Sequence, residues 1–503
     1  MENVVAAFHL VFQVDVILVI LGACVFGIFA GAMPGISATV AVALLLPITF
    51  FMTPVAALAA IATAVAMAIF AGDLPGALLR IPGMPASAAY AEEAHEMTLK
   101  GEGGTALWIS LLCSVLGGLV GTLALTFLAP VLADFALEFQ YYEYFWLAAI
   151  GLSAAALVSA ENPAKGLISL AIGLLLATVG LDMISGSARF TFGTIALMEG
   201  INFIPVMIGV FAVAEVLRSL IHPPRGDSRQ GRVQRIDFAG AFRTIWRYRG
   251  KVATGSAIGT LIGAIPGAGS DIAAWVSYSL ARRSSKTPEK FGTGHPEGIV
   301  AASASNNAAT SATWVPSLVF GIPGDSVTAI VIGVLFLKGL EPGPMVFVEN
   351  APLVYSIFIS FFIANLFLIP VGYVAVRLAS QLLRVSNTVL MPIVLLFAIV
   401  GAYAINNSMM GVIIALVAGV ASFFMQENDF PVAPLILGMV IGGLLEQNFM
   451  QGMIAQRGDL TAFFGRPLAA GLGTLTILIW VSPVIALVWR RRSRRSAASH
   501  APD

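Results

Sequence analysis

The chain has 503 residues, 58% of them hydrophobic and only 11% charged, with 27 basic and 27 acidic side chains. Water-soluble domains carry roughly 25% charged residues, so an ordinary soluble fold is excluded. The balanced charge gives no reason to expect nucleic acid as a partner, and Cys24 and Cys113 sit in apolar runs without Cys-x-x-Cys or Cys/His spacing, as core residues do.

Runs long enough to cross a ~30 Å hydrocarbon core as helices recur at 14–32, 105–130, 201–217, 353–376 and 473–489. They predict an all-α polytopic membrane protein of about 10–12 membrane segments, some of them broken or re-entrant. The first run is flanked by Glu2 and Asp15 with no basic region ahead of it, so it reads as a retained transmembrane helix and not a cleaved leader.

Along the chain, the first break is GIFAGAMPG at 27–35, followed by Ser37 and Thr39. Next come Asp73, the RIPGMPASA stretch at 80–88, a polar run of Glu92, Glu93, His95 and Glu96 expected outside the membrane, and LKGEG from Leu99. The longest polar stretch, 222–251, holds seven arginines and Lys251, and the tail carries Arg490, Arg491, Arg492, Arg494 and Arg495. The positive-inside rule places both in the cytoplasm. A second break, GTLIGAIPGAGSD at 259–271, is bracketed by that linker and by Arg282, Arg283, Lys286 and Lys290. Two cytoplasmic flanks predict a re-entrant hairpin with Pro266 and Gly267 near its tip. Irregular backbone at membrane depth is tolerated only where protein buries it or a cavity lines it.

Three motif pairs recur in order. G-x-x-x-G-A-x-P-G starts at Gly27 and Gly259, the IPG stretch at Arg80 and Gly321, and LKG at Leu99 and Leu337. Nearly constant spacing implies a duplication. The first break has no Lys or Arg within forty positions, whereas the second is flanked by them, which predicts opposite orientations. The expected organisation is a first transmembrane repeat over 1–220, a cytoplasmic linker over 221–251, a second inverted repeat over 252–489 and a basic tail over 490–503. Inverted-repeat transporters bind substrate near the midplane between discontinuous helices.

A broken helix offers free N–H groups at one half-helix and free carbonyls at the other, suited to an anion and a hard cation respectively. The candidate substrate residues are Pro34, Gly35, Ile36, Ser37, Pro266, Gly267, Ala268, Gly269, Ser270, Asn306 and Asn307. The candidate cation-coupling residues are Asp271, Pro82, Gly83, Pro323, Gly324 and Asp325. For Gly27 and Gly259, close helix packing is the simpler reading. Each hydroxyl is equally readable as a plain helix cap. Asp73 and Asp325 read either as cation ligands or as interfacial loop residues. Arg80 reads as a substrate-carboxylate partner or as a solvated side chain.

The stretches GAMPGISATVAVALLLPITF, RIPGMPASAA, LKGEGGTAL, GTLIGAIPGAG, KTPEKFGTG, EGIVAASASNNAA and FGIPGDSVTAIVIGVLFLKGLEPGP resemble the blocks of the tripartite tricarboxylate transporter large membrane subunit, the TctA family. The resemblance covers nearly the whole chain. It implies a bacterial inner-membrane secondary transporter importing a carboxylate by symport with a cation, commonly Na+, with no other cofactor. It also implies a small TctB-like membrane subunit and a periplasmic TctC-like solute-binding protein as partners. The chain departs from the family pattern at Asp73 and Arg80, at EEAHEMTLKG, at Ser303 where glutamate is frequent, and at Asp325 where serine is common. These changes redistribute charge around the expected cavity.

The competing readings are a membrane enzyme and a carrier or exchanger that needs no binding protein. HEMTL at His95 lacks the second histidine of a zinc-peptidase motif, and neither a phosphate-binding loop nor a nucleophile elbow occurs. No enzyme is expected.

Overall fold

In a computed structural model, residues 2–34, 36–158, 163–182, 186–222, 236–383 and 387–481 are described. Gly35, most of the basic linker and the basic tail lie outside them. The chain is helical almost throughout. The first half runs α1 (Glu2–Val11), α2 (Val14–Ala32), α3 (Ala38–Thr49), α4 (Pro54–Ala71), α5 (Asp73–Leu79), α6 (Ala91–Leu99), α7 (Gly103–Ala136), α8 (Tyr141–Val158) and α9 (Pro163–Ala177). It closes with α10 (Phe203–Met207) and α11 (Ala214–Ile221), joined through a π-helical turn.

The second half runs α12 (Phe238–Arg247), α13 (Arg249–Gly263), α14 (Gly269–Arg283), α15 (Pro296–Ala312), α16 (Trp314–Phe320) and α17 (Ser326–Leu337). It continues with α18 (Val346–Glu349), α19 (Ala351–Leu382), α20 (Asn387–Asn406), α21 (Met409–Glu427) and α22 (Ala433–Ala455), and ends in the apolar α23 (Pro467–Val481). Among the described residues, seven helical stretches are long and apolar enough to cross a membrane: 14–32, 54–79, 103–136, 203–221, 351–382, 409–427 and 433–455. The protein is a multi-pass helical membrane protein. Further apolar sequence forms helices of 10–17 residues.

α4 and α15 form the centre of the molecule, and almost every side chain on them is buried. Their residues are small, so neighbouring backbones approach closely. A Cβ on Gly27 or Gly31 of α2 would stand 2.5 or 2.3 Å from the carbonyl oxygen of Ala64 or Ala68 on α4. A Cβ on Gly259 or Gly263 of α13 would stand 2.2 or 2.5 Å from that of Ser305 or Ala309 on α15. Glycine at these four helical positions is therefore set by packing.

Matched positions also make matched contacts at the IPG turns. α5 ends in a left-handed Arg80 (φ 57°) and α16 in a left-handed Gly321 (φ 67°). The Ile81 N–H then reaches back to the Pro75 carbonyl at 3.4 Å, and Ile322 to Pro316 at 3.3 Å, closing each helix in a Schellman pattern. Between the halves the packing is exchanged. α7 lies on α15 while α19 lies on α4, and α22 lies on α8 and α9 while the π turn before α11 lies on α21.

Candidate functional site

α13 and α14 form an antiparallel hairpin whose open end is closed by Lys251. Its Nζ donates to the Ala281 carbonyl at 3.2 Å and to the Ser284 hydroxyl at 2.7 Å. Each arm is 15 residues, about 22 Å, shorter than a ~30 Å bilayer core. At the tip, Gly267 (φ 78°) and Gly269 (φ 73°) adopt the left-handed conformation that only glycine takes without strain.

That tip meets three other chain breaks. A cavity of about 150 Å³ is lined by Ser37 and Thr39 at the start of α3 and by Gly269, Ser270 and Asp271 at the start of α14. Met84 and Pro85 after the first IPG, and Asp325 and Ser326 after the second, complete it, with Thr310 of α15. Both halves of the chain thus contribute a break and an IPG turn to one space.

Three helices begin at this cavity, so three positive dipole ends point into it. Their caps differ. The Ser37 hydroxyl accepts from the Val40 N–H at 3.3 Å, and Asp325 forms a capping box with Thr328, accepting from its N–H and its hydroxyl at 2.8 Å. α14 starts with no side-chain cap. Its first N–H groups are the ones left free for an anion. Asp271 and Asp325 both line the cavity, so two carboxyl groups stand beside those N–H groups.

The small cavity shares Ser37, Met84 and Pro85 with a vestibule of about 590 Å³. Pro34, Pro82 and Gly83 line the vestibule, together with Glu215 and Arg218 of α11, His222 just after it and Gln426 of α21. The α11 residues were not anticipated. Their signal was available: Glu215 and Arg218 are ionisable residues in an otherwise apolar span, where charge is expensive.

The other candidates line neither the cavity nor the vestibule. Ile36 is buried behind the first break, and Pro266 packs near Gly151 of α8. Pro323 and Gly324 are buried, with Gly324 pressed onto the Thr313 backbone. Ala268 precedes the first residue of α14 and Gly35 lies outside the described residues. Asn306 and Asn307 are buried on α15, and all four of their amide atoms lack a hydrogen-bond partner. Arg80 turns away to an exposed ion pair with Glu92 at 2.8 Å. Glu93, within the polar run, is fully buried.

The family model described as the tripartite tricarboxylate transporter TctA family matches residues 17–437. The chain belongs to the TctA family. It is 36% identical over 469 residues to an uncharacterized 52.8 kDa protein in the TAR-I ttuC′ 3′ region of Agrobacterium vitis, covering 93% of this chain and 92% of that one. It is also 36% identical over 230 residues to an uncharacterized protein in the TAR-II ttuC′ 3′ region of the same organism, covering 45% of this chain and 95% of that one. No solved structure matches significantly. The chain is therefore a membrane component of a transporter family whose systems are tripartite, and its four breaks converge inside the region that the family model covers.

Proposed function

We propose that this TctA-family chain is the large subunit of a bacterial inner-membrane importer that carries a small carboxylate by symport with Na+. It is not an enzyme in this reading. A TctB-like small membrane subunit completes the membrane part, and a TctC-like periplasmic protein delivers the substrate. The observation that carries the reading is the convergence of both Pro-Gly breaks and both IPG turns on one cavity faced by three helix N-termini.

The free N–H groups at the start of α14, with the Ser270 and Ser37 hydroxyls, hold the substrate carboxylate. Asp271 and Asp325 oppose a lone anion, so uptake of the anion is coupled to a cation. The vestibule is lined by Arg218 and His222 at the start of the stretch that the positive-inside rule assigns to the cytoplasm. This conformation is then the inward-facing one. The two halves, taken as inverted repeats, exchange their packing to open the same cavity outward.

The test is uptake of labelled di- and tricarboxylates into vesicles holding this chain and its small subunit. Uptake that needs both a Na+ gradient and the binding protein supports the reading. Uptake indifferent to the binding protein identifies a self-sufficient carrier, and uptake indifferent to Na+ removes the symport.

A further inference from the structure

Asp73, at the start of α5, is 3% exposed and lies outside both the cavity and the vestibule. Its carboxylate accepts from the Tyr90 hydroxyl at 2.7 Å and from the Ser110 hydroxyl of α7. Among the described residues no cationic side chain stands beside it. The Ser110 hydroxyl also meets that of Ser303 on α15 at 2.9 Å. The Tyr90 hydroxyl is also within reach of the Ser303 hydroxyl and, one turn further along α15, of the Asn306 amide. Asn306 is 1% exposed, and beyond that contact with Tyr90 its side-chain amide oxygen has no hydrogen-bond partner.

A buried carboxylate without a counter-ion and a buried amide without a partner are each costly, and here they share one wall-to-wall cluster. A proton on Asp73 would neutralise the acid and leave the Asn306 oxygen unpaired. A cation held by this cluster answers the charge of the carboxylate and gives the amide oxygen a partner. The available donors are carboxylate, hydroxyl and amide oxygens, the ligands of hard cations, and the single negative charge matches a monovalent one. Among the described residues no three His, Cys, Asp or Glu side chains gather as a transition-metal site would require.

We propose that Asp73, Ser110, Ser303 and Asn306 form a buried Na+ site, separate from the substrate cavity; this rests on the cation-coupled reading above. The site is wired to the cavity at two points. The Thr310 hydroxyl, on the cavity wall, donates to the Asn306 backbone carbonyl one turn earlier in α15 at 2.9 Å. Ser87 bonds the Gly72 carbonyl beside Asp73 at 3.3 Å and the Met84 carbonyl, also on the cavity wall, at 2.9 Å. Filling the site therefore firms both walls against which the substrate sits.

The test measures thermal unfolding of the purified chain in detergent, titrated with NaCl against choline chloride at constant ionic strength. Na+ should raise the unfolding midpoint of the wild type. Asp73→Asn, which keeps the shape and removes the charge, should fold and lose the Na+ response. Ser303→Ala should need about tenfold more Na+ for the same shift. A Na+ response retained by Asp73→Asn, or lost in Asp271→Asn with Asp73→Asn unaffected, overturns the site while leaving Na+ symport standing. A wild type stabilised by acid and indifferent to Na+ overturns it in favour of a proton site. Vesicle uptake that ignores the Na+ gradient would separately remove the symport reading.

Discussion

Lys100 and Lys338 make the same contact in opposite directions. Lys100, in the first LKG motif, donates its Nζ to the Thr293 carbonyl in the segment that follows α14. Lys338, in the second, donates to the Phe50 carbonyl at 2.9 Å and the Met52 carbonyl at 2.6 Å in the segment that follows α3. Each half of the chain thus clamps the exit of the other half's broken helix pair. Lys338 is half-buried and makes two bonds where the exposed Lys100 makes one. Lys338→Met is expected to lower stability by about 1–2 kcal/mol and Lys100→Met by less than about 1 kcal/mol. Thermal unfolding of the detergent-purified variants reads the order, and a Lys100 effect equal to or larger than that of Lys338 contradicts it.

The glycine contacts on α4 and α15 give a contrast within single helices. Gly31→Val and Gly263→Val push new atoms into the Ala68 and Ala309 backbones, which cannot swing aside as a side chain end can. Overpacking of this kind costs about 1–3 kcal/mol, so both variants should show reduced folded yield by size-exclusion chromatography. Gly22 and Gly250 have open space where a Cβ would stand. Gly22→Ala is expected to be neutral or stabilising by about 0.5–1 kcal/mol, since helix propensity alone acts there.

Much of the candidate site was legible because a break in a hydrophobic run is a local event. Pro34, Pro266 and the two IPG turns announce themselves in a few residues each, and the residues that follow each of them line one cavity. Partnerships across the exchanged packing were not legible. Asp73 and Ser303 come together only because α7 lies on α15 and brings Ser110 between them. In the sequence the block KTPEKFGTG is legible only as one of the stretches that resemble the family. Its purpose is Glu93, whose carboxylate accepts the N–H groups of Gly292, Gly294 and His295 at 2.6–2.8 Å and the Tyr278 hydroxyl at 2.9 Å. Gly292 (φ 89°) and Gly294 (φ 85°) supply the left-handed turns that aim those donors.

That cradle makes Glu93 a sensitive position. Glu93→Gln keeps its size but replaces one acceptor oxygen with a donor facing other donors. Charge-assisted bonds are lost and at least one buried N–H is orphaned, at a cost of about 2–3 kcal/mol. The unfolding midpoint should fall clearly, with Glu92→Gln as the control, since the Glu92 ion pair with Arg80 is exposed. Equal midpoints for the two variants would mean that the cradle contributes nothing.

Arg80 tests whether a charge beside an IPG turn serves the substrate. It occupies a left-handed conformation that glycine fills at the matched position, Gly321. Non-glycine residues lose about 1–2 kcal/mol there, and the exposed Glu92 pair returns at most about 1 kcal/mol. Arg80→Gly should therefore be as stable as the wild type or slightly more so. Its side chain points away from the vestibule and the cavity, neither of which it lines. Vesicle uptake by Arg80→Gly should keep an unchanged KM, and a tenfold rise would mean that the arginine reaches the carboxylate in another conformation of the cycle.

The tip of the α13–α14 hairpin is where a conservative change should separate folding from transport. Pro266→Ala with Gly267→Ala allows α13 to extend through the break and places a side chain at φ 78°, a strain of about 1–2 kcal/mol. Gly269→Ala puts a methyl 3.4 Å from the Asp325 Cβ, in ordinary contact, while straining φ at 73°. Both changes disturb the free N–H groups at the start of α14 without touching the closely packed face on α15. Membrane insertion and chromatographic behaviour should survive, and uptake should fall at least tenfold. Wild-type uptake in the double variant would show that the irregular backbone at residues 264–268 has no part in holding the substrate, leaving the dipoles of α3 and α17 to do so.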